Sequence, residues 1–507
     1  MSFSLSPLLD TLPTDSVPES SGLIHPRPAV TASPASSIWR DLPESLFRQH
    51  VVALEKLTNA VPVDAQSFPL SSHAIATSDG TVEARVKVHA DPPESPETIW
   101  ADLYHRNSAG HPEHPRHRLL STATEQRLAN DIAYLVAVGE GAQSVAAATV
   151  QEGRINIDAS TGGLDGGRDL DQQPLAASLK VTIASADAIE PDSQAFLRSV
   201  FQILSAPPPA KPLHRLLDLV IRHHQARLLN RLRSAKWKKP AYLARTHKKP
   251  LFADFANLIH RAQFLYSKKE AAVRAQLEQE LLQMADLLEA FESETDDHEK
   301  LIEIAQSSYQ FCTSTLIANY FDRLQAIRAT AQIQACLKTL RQLEKIAAYY
   351  RICQTLISLS RSHPTSFESV QLLFLPPYEA VPLTIAYQPW AKSTHVHAEV
   401  ILSVHHDLEG SDSPWHKPRC LGASKYFCYL CFLFIRHHGA YFAANTHGAC
   451  YDQWTIPDLA DYPESLAEHY RNVVRTMDEE VQHQTRGAKW RPEPMTSREN
   501  LIGLVDD

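Results

Sequence analysis

From residue 213 to about 360, apolar side chains recur every three or four positions, and at His363-Pro364 that rhythm stops. A chain patterned this way must first bury helix against helix and then change architecture. A 3.6-residue period and the shorter apolar runs that follow bury different faces. Four long helical patterns fill this stretch. One opens at Ser267 with Glu270 three residues on, the spacing of a capping box. It sets Val273, Leu277, Leu281, Met284, Leu288 and Phe291 along one face. A later one carries Ile333, Leu337, Leu340, Leu343, Ala347 and Tyr350. Helix packed on helix is the plain reading of these stripes, and a partner-binding groove is the other.

Beyond His363 the elements shorten. VQLLFL (370–375) and PLTIAYQ (382–388) predict two strands joined by a Pro-containing turn. HAEVILSVHHDL (397–408) predicts a helix, RCLGAS (419–424) a buried strand, CYLCFLFIRHH (428–438) a buried helix and AYFAANT (440–446) a strand. A polar helix over about 462–478 follows. The expected fold is mixed: a large all-α region, then a C-terminal α/β three-layer sandwich. The expected domains are a disordered Ser/Pro-rich arm (1–45), a mainly helical region (46–212), a helical region with a basic patch (213–344), the α/β domain (345–480) and a tail (481–507). Within the second, helices are expected over about 122–139 and 192–205. The STGGLDGGRDLD loop lacks the GK[ST] ending of a phosphate-binding loop.

Seven cysteines all fall between Cys312 and Cys450. An odd, clustered set in a long chain points to metal or catalytic chemistry rather than a secreted disulfide framework. His397-Ala-Glu399 opens one predicted helix and Cys428-Tyr-Leu-Cys431 opens the next. Cysteines at i and i+3 on a first helical turn share a face, and the positive end of the helix favours their thiolates. One His and two thiolates neutralise Zn2+ and leave a fourth tetrahedral position open, as catalytic sites do. Glu399 then stands where it can move a water's proton. His111-Pro-Glu113 also reads H-x-E, but in a Pro-rich loop with no cysteine nearby.

The pairing of H-x-E with C-x-x-C, each opening an apolar helix, resembles the cytidine-deaminase-like zinc hydrolases. The surrounding V-HAE and G-A-SK-YF-C-YL-C look more like a fungal-type group of nucleic-acid deaminases within that superfamily. The resemblance covers about residues 345–480. It implies that His397, Cys428 and Cys431 bind zinc, that Glu399 is the general acid/base, and that the helix at about 330–360 is the family's first. One departure is Phe427, where the family usually has Pro. The implied reaction is hydrolytic loss of the amine from cytosine or adenine, within RNA or DNA. A structural zinc site is the other reading, with Cys420, His447 or Cys450 as fourth ligand. On that reading the chain is a helical interaction protein with an inactive zinc-stabilised module.

Other residues carry two readings each. Ser424 and Lys425 either touch substrate or, for Ser424, cap the helix. Tyr426, Phe427, Tyr441 and Phe442 either stack on a base or fill core. Of eight His residues between His395 and His447, most besides His397 are expected at the surface or at helix ends, with His447 a candidate substrate contact. Between Arg222 and Lys249 lie ten Lys/Arg and no acid, in a chain of net charge -9. This segment is either a solvated helix face or a phosphate-binding patch with Trp237 or Tyr242 stacking. Nucleic acid is therefore a candidate partner. No apolar run approaches the ~20 residues of a membrane span, and no basic leader is present, so an intracellular, cytoplasmic or nuclear protein is expected.

Overall fold

The computed structural model describes residues 26–59, 72–73, 86–87, 118–139, 145–153, 178–206, 212–240, 249–387, 391–410, 413–442, 446–487, 499, 501 and 502. The STGGLDGGRDLD loop, His111, Glu113, Tyr242, Arg245 and Lys248 lie outside them.

A four-stranded sheet positions the site. Strand β1 (Ala146–Glu152) pairs antiparallel with β2 (Leu179–Ser185), Ala146 opposite Ser185 and Glu152 opposite Leu179. On the far side of β2, β3 (Val370–Phe374) runs parallel, with Leu179 opposite Val370. On the far side of β1, a two-residue strand later in the chain, Gly422–Ala423, runs antiparallel. Alternate residues of β1 face opposite ways. Ala146, Ala148 and Val150 join a core with helix α2 (Thr122–Val136) and the helices that follow the sheet's first two strands. Ala147 joins a second core with the helix that follows His397.

Helix α2 starts at Ser121, whose side chain accepts from Thr124 N. Before it, α1 (Glu44–Asn59) belongs to the second core through Phe47, Val51 and Leu54. Between β2 and β3 the chain forms α3 (Pro191–Ser205), α4 (Pro212–His223), α5 (Gln225–Leu232), α6 (Phe255–Leu265), α7 (Ala271–Glu292), α8 (Asp297–Cys312), α9 (Thr315–Ala326), α10 (Ala331–Ser362) and α11 (Pro364–Glu368). The capping box of Ser267 and Glu270 forms, and the α7 stripe is buried except for Val273, which is exposed. Helix α10 is buried on several faces, as an apolar helix at the centre of a bundle must be. A buried bidentate pair, Arg351 to Asp131 with both bonds 2.7 Å, ties α10 to α2.

The sheet therefore draws on two stretches far apart in sequence, 146–185 and 370–423, rather than on residues 345–480 alone. The expected hairpin of 370–375 with 382–388 does not form. The described part of the second run is irregular, its Pro382 makes only a bridge to Ser393, and β3 takes β2 as neighbour. A proline has no N–H for a ladder. The helix over 330–360 exists, but it packs mainly on other helices; the helix laid on β1 and Gly422 is α2. Of the strand expected over 419–424 only Gly422–Ala423 is regular, and the described ends of 440–446 make isolated bridges, Phe442 to Cys420 and Thr446 to Phe427. The arm expected over 1–45 is docked from Arg27 onward. Arg27 N donates to Pro377 O at 2.9 Å, and Ile38 N and Ser37 Oγ both donate to the Asp458 carboxylate.

Candidate metal centre

Two helix starts face each other across the second core. His397 follows β4 (His395–Val396) and is the N-cap residue of α12 (Ala398–Leu408). Gly422–Ala423, now β5, leads to Cys428, the N-cap residue of α13 (Tyr429–His438). The Cys428 sulfur accepts from Cys431 N at 3.3 Å, a cap in the place of the usual oxygen. Beyond α13, β6 (Trp454–Thr455) pairs parallel with β4, His395 opposite Trp454. Helix α14 (Glu464–Thr485), longer than the expected 462–478, closes the core.

His397 Nδ1 lies 3.5 Å from Cys428 Sγ and 3.4 Å from Cys431 Sγ. An ion with Zn–N near 2.0 Å and Zn–S near 2.3 Å in a tetrahedral site would set such a nitrogen and sulfur about 3.6 Å apart. The donors present thus fit zinc in type and spacing. Glu399 is buried, and Cys431 Sγ donates to its Oε2 at 3.4 Å. Its carboxyl is raised from the ordinary value by burial. Burial alone would raise the Cys428 thiol, but hydrogen bonding with Cys431 and the adjacent His397 outweigh it and hold it well below its usual value. Burial and the Cys428 sulfur together push the Cys431 thiol up.

The alternative ligands stay outside this cluster. Among the described residues, only His397, Cys428 and Cys431 bring metal-ligating atoms together here. Cys420 Sγ meets Thr122 O at 3.6 Å, and His447 Nδ1 accepts from Ala449 N at 3.1 Å. Ser424 does not cap α13; its hydroxyl accepts from Ala146 N, binding the approach to Cys428 onto β1. Phe427 and Tyr441 are core residues, each 1% exposed. His406 and His438 are at helix ends as expected, but buried. His406 bridges Thr149 of β1 (2.8 Å) and Glu409 (2.7 Å), while His438 donates to Asp407 (2.7 Å). With Lys180 on Glu409 at 2.5 Å, the first of these networks fixes α12 to the sheet.

Several residues had no sequence signal of their own. Tyr451 places its ring 6.3 Å from His397 and 6.1 Å from His447. The backbone of 446–449 braces the Cys428 turn, with His447 N on Phe427 O (3.0 Å) and Tyr429 N on Ala449 O (2.9 Å). Trp454 donates its indole N–H to Cys431 Sγ at 3.3 Å.

Part of the basic segment is neutralised by acids from outside it. Arg222 pairs with Asp218, Arg233 and Lys249 with Asp254, and Lys236 with Asp297. Arg227 is buried and donates to Ala137 O, whereas Lys238 and Lys239 are exposed. No described helix is long and apolar enough to cross a membrane.

No curated protein and no solved structure matches the chain. Residues 396–458, which hold His397, Glu399, Cys428 and Cys431, match the family model described as OTT_1508-like deaminase: this stretch of the chain is similar to a deaminase.

Proposed function

We propose that the chain is a zinc-dependent hydrolytic deaminase acting on cytosine or adenine, within RNA or DNA. The observation that carries this reading is the trio of His397, Cys428 and Cys431 with Glu399 in hydrogen-bonding contact, inside a deaminase-like stretch. Zinc held by the trio would supply the Lewis acid that makes water a nucleophile at neutral pH. Glu399 takes the proton from that water and returns it to the leaving amine. The sheet with α2 and the helical bundle on one face and α12 on the other is read as the three-layer sandwich of such enzymes, and the neighbouring motif as its fungal-type group. A catalytic rather than structural site is favoured because, among the described residues, none of Cys420, His447 and Cys450 joins the trio, and Cys420 and His447 are bonded elsewhere.

For the polymer, exposed Lys238 and Lys239 are the proposed phosphate contacts, and the target base must be single-stranded or flipped out to reach the zinc. The test begins with metal content. Wild-type protein is expected to hold near-stoichiometric zinc, which His397→Ala and Cys428→Ser remove. Deamination is then screened on single-stranded RNA, single-stranded DNA and free nucleosides. Folded wild-type protein that takes up no zinc on supplementation would overturn the reading. Unchanged RNA and DNA affinity in Lys238→Ala/Lys239→Ala would remove the proposed phosphate contacts.

A further inference from the structure

Trp454 is 1% exposed, and its indole N–H points at one sulfur, Cys431 Sγ, 3.3 Å away. A buried indole N–H takes a hydrogen-bond partner wherever the fold offers one. Here the partner is a sulfur of the metal trio. The ring packs against Phe434 of α13 and Phe47 of α1, with centroids 6.1 Å away in each case. Its backbone is fixed by β6, which runs beside the strand leading into His397.

Helix α1 holds the same segment from outside. Arg48 donates to the carbonyls of Asp452 and Trp454, Glu55 accepts from Asp452 N at 3.1 Å, and Glu44 accepts from Thr455 Oγ1 at 2.8 Å. Positions 44, 48 and 55 are spaced by four and seven, so they fall on one helical face. Three polar residues on that face thus grip 452–455, about 400 residues further along the chain.

We propose that Trp454 is a positioning residue of the metal centre, donating its indole N–H to the Cys431 thiolate, and that α1 sets its place. The inference rests on the reading that His397, Cys428 and Cys431 hold zinc. An N–H on a ligand sulfur draws electron density from it and fixes its direction, and loss of such a partner typically lowers metal affinity about 10–100-fold.

The full-length protein is loaded with Co2+, which takes zinc's place and reports on sulfur through its charge-transfer absorption, and zinc affinity is measured by chelator competition. Trp454→Phe keeps an aromatic ring in the pocket and loses the N–H together with the pyrrole half of the indole. It is expected to bind one metal with zinc affinity lowered about 10-fold or more. The sulfur-to-cobalt band should move to lower energy, because the sulfur becomes more electron-rich. An unmoved band with unchanged affinity would overturn the proposal. Should Trp454→Phe fail to fold, Trp454→3-benzothienylalanine replaces the N–H by sulfur within the same outline, and the same two outcomes decide. Arg48→Met, remote from the metal, is expected to move the band in the same direction. No shift there, beside a shift in Trp454→Phe, would take α1 out of the proposal. Wild-type protein that binds neither cobalt nor zinc overturns the metal centre itself, which is a different failure.

Discussion

One added methyl group at Gly422 tests whether the sheet beneath the candidate metal centre is built as described. A Cβ there would lie 2.2 Å from the carbonyl carbon of Ala129, 2.4 Å from Asn130 N and 2.5 Å from Ala129 O. Carbon atoms in ordinary contact sit at about 3.5–4.0 Å, so β5 and α2 must part by more than about 1 Å. All three atoms are helix backbone, and no rotamer relieves the clash. Movement is also opposed by hydrogen bonds across the same contact. Ala423 N donates to Asn130 Oδ1 (3.1 Å), Gln126 Nε2 to Leu421 O (3.0 Å), and Arg419 N to the Glu125 carboxylate (2.6 Å). Overpacking of a core costs about 1–3 kcal/mol, occasionally more, and each strained hydrogen bond adds about 1 kcal/mol. Gly422→Ala is therefore expected to destabilise by about 4–6 kcal/mol. In urea, with m near 3 kcal/mol/M, the midpoint falls by about 1 M or more. Zinc affinity falls with it, because β5 leads directly to Cys428. Gly410→Ala is the control: nothing lies within 4 Å of its added Cβ, and the effect should stay within about 0.5 kcal/mol. A Gly422→Ala protein as stable as that control would show that α2 does not lie over β5.

Glu399→Gln is expected to keep the fold and zinc while turnover drops about 10²–10⁴-fold, the usual share of a general acid/base; undiminished turnover would remove Glu399 from the chemistry. Asp407 is buried and bonded to His438 (2.7 Å), Lys417 (2.6 Å) and Tyr470 (2.7 Å). Burial alone would raise its carboxyl, but His438 and Lys417 outweigh this and hold it far below the carboxylate range. Its folded-state value being depressed, its contribution is present above the unfolded value of about 4 and is lost as pH falls below it. Asp407→Asn should cost about 3–5 kcal/mol at neutral pH and less in acid. Urea midpoints that differ equally at pH 7 and pH 3 would refute the assignment.

What the sequence disclosed depended on how locally each feature is determined. The trio of His397, Cys428 and Cys431 was legible because H-x-E and C-x-x-C each place their groups within one helical turn, and the three meet wherever two such turns meet. The capping box at Ser267 and the stripe of α7 are local in the same way. Strands β1 and β2 were missed for the opposite reason. AAATVQE is buried at every position, and LKVTIAS at all but Lys180, so neither shows the alternation of a half-exposed strand. Their other neighbours in the sheet lie roughly 190 and 275 residues away, and no local pattern records a pairing at that distance. Trp454 illustrates the limit for the site. Its composition says only that a large ring wants burial, while its contact with Cys431 follows from the pairing of β6 with β4.

The topology also explains why the helical region is part of the site's architecture. Parallel neighbouring strands cannot be joined by a tight turn and need a crossover, usually one helix. Strand β2 ends at Ser185 and its parallel neighbour β3 begins at Val370, so helices α3 to α11 together are that crossover. Having grown into a bundle, they share one core with the sheet face formed by Ala146, Ala148, Val150, Val181 and Ile183. Cutting the chain at the change in sequence pattern would therefore not release a unit that carries the whole sheet beside the trio. A fragment of residues 345–480 keeps β3 and β5 but loses β1 and β2, the strands that stand between them, and α2, on which Gly422 rests. It also loses α1, which grips Asp452 and Thr455. Such a fragment is expected to lack a cooperative unfolding transition and to hold zinc far more weakly than the full chain. A 345–480 fragment that unfolds cooperatively and binds zinc as the full chain does would show that the site needs neither the first two strands nor the crossover.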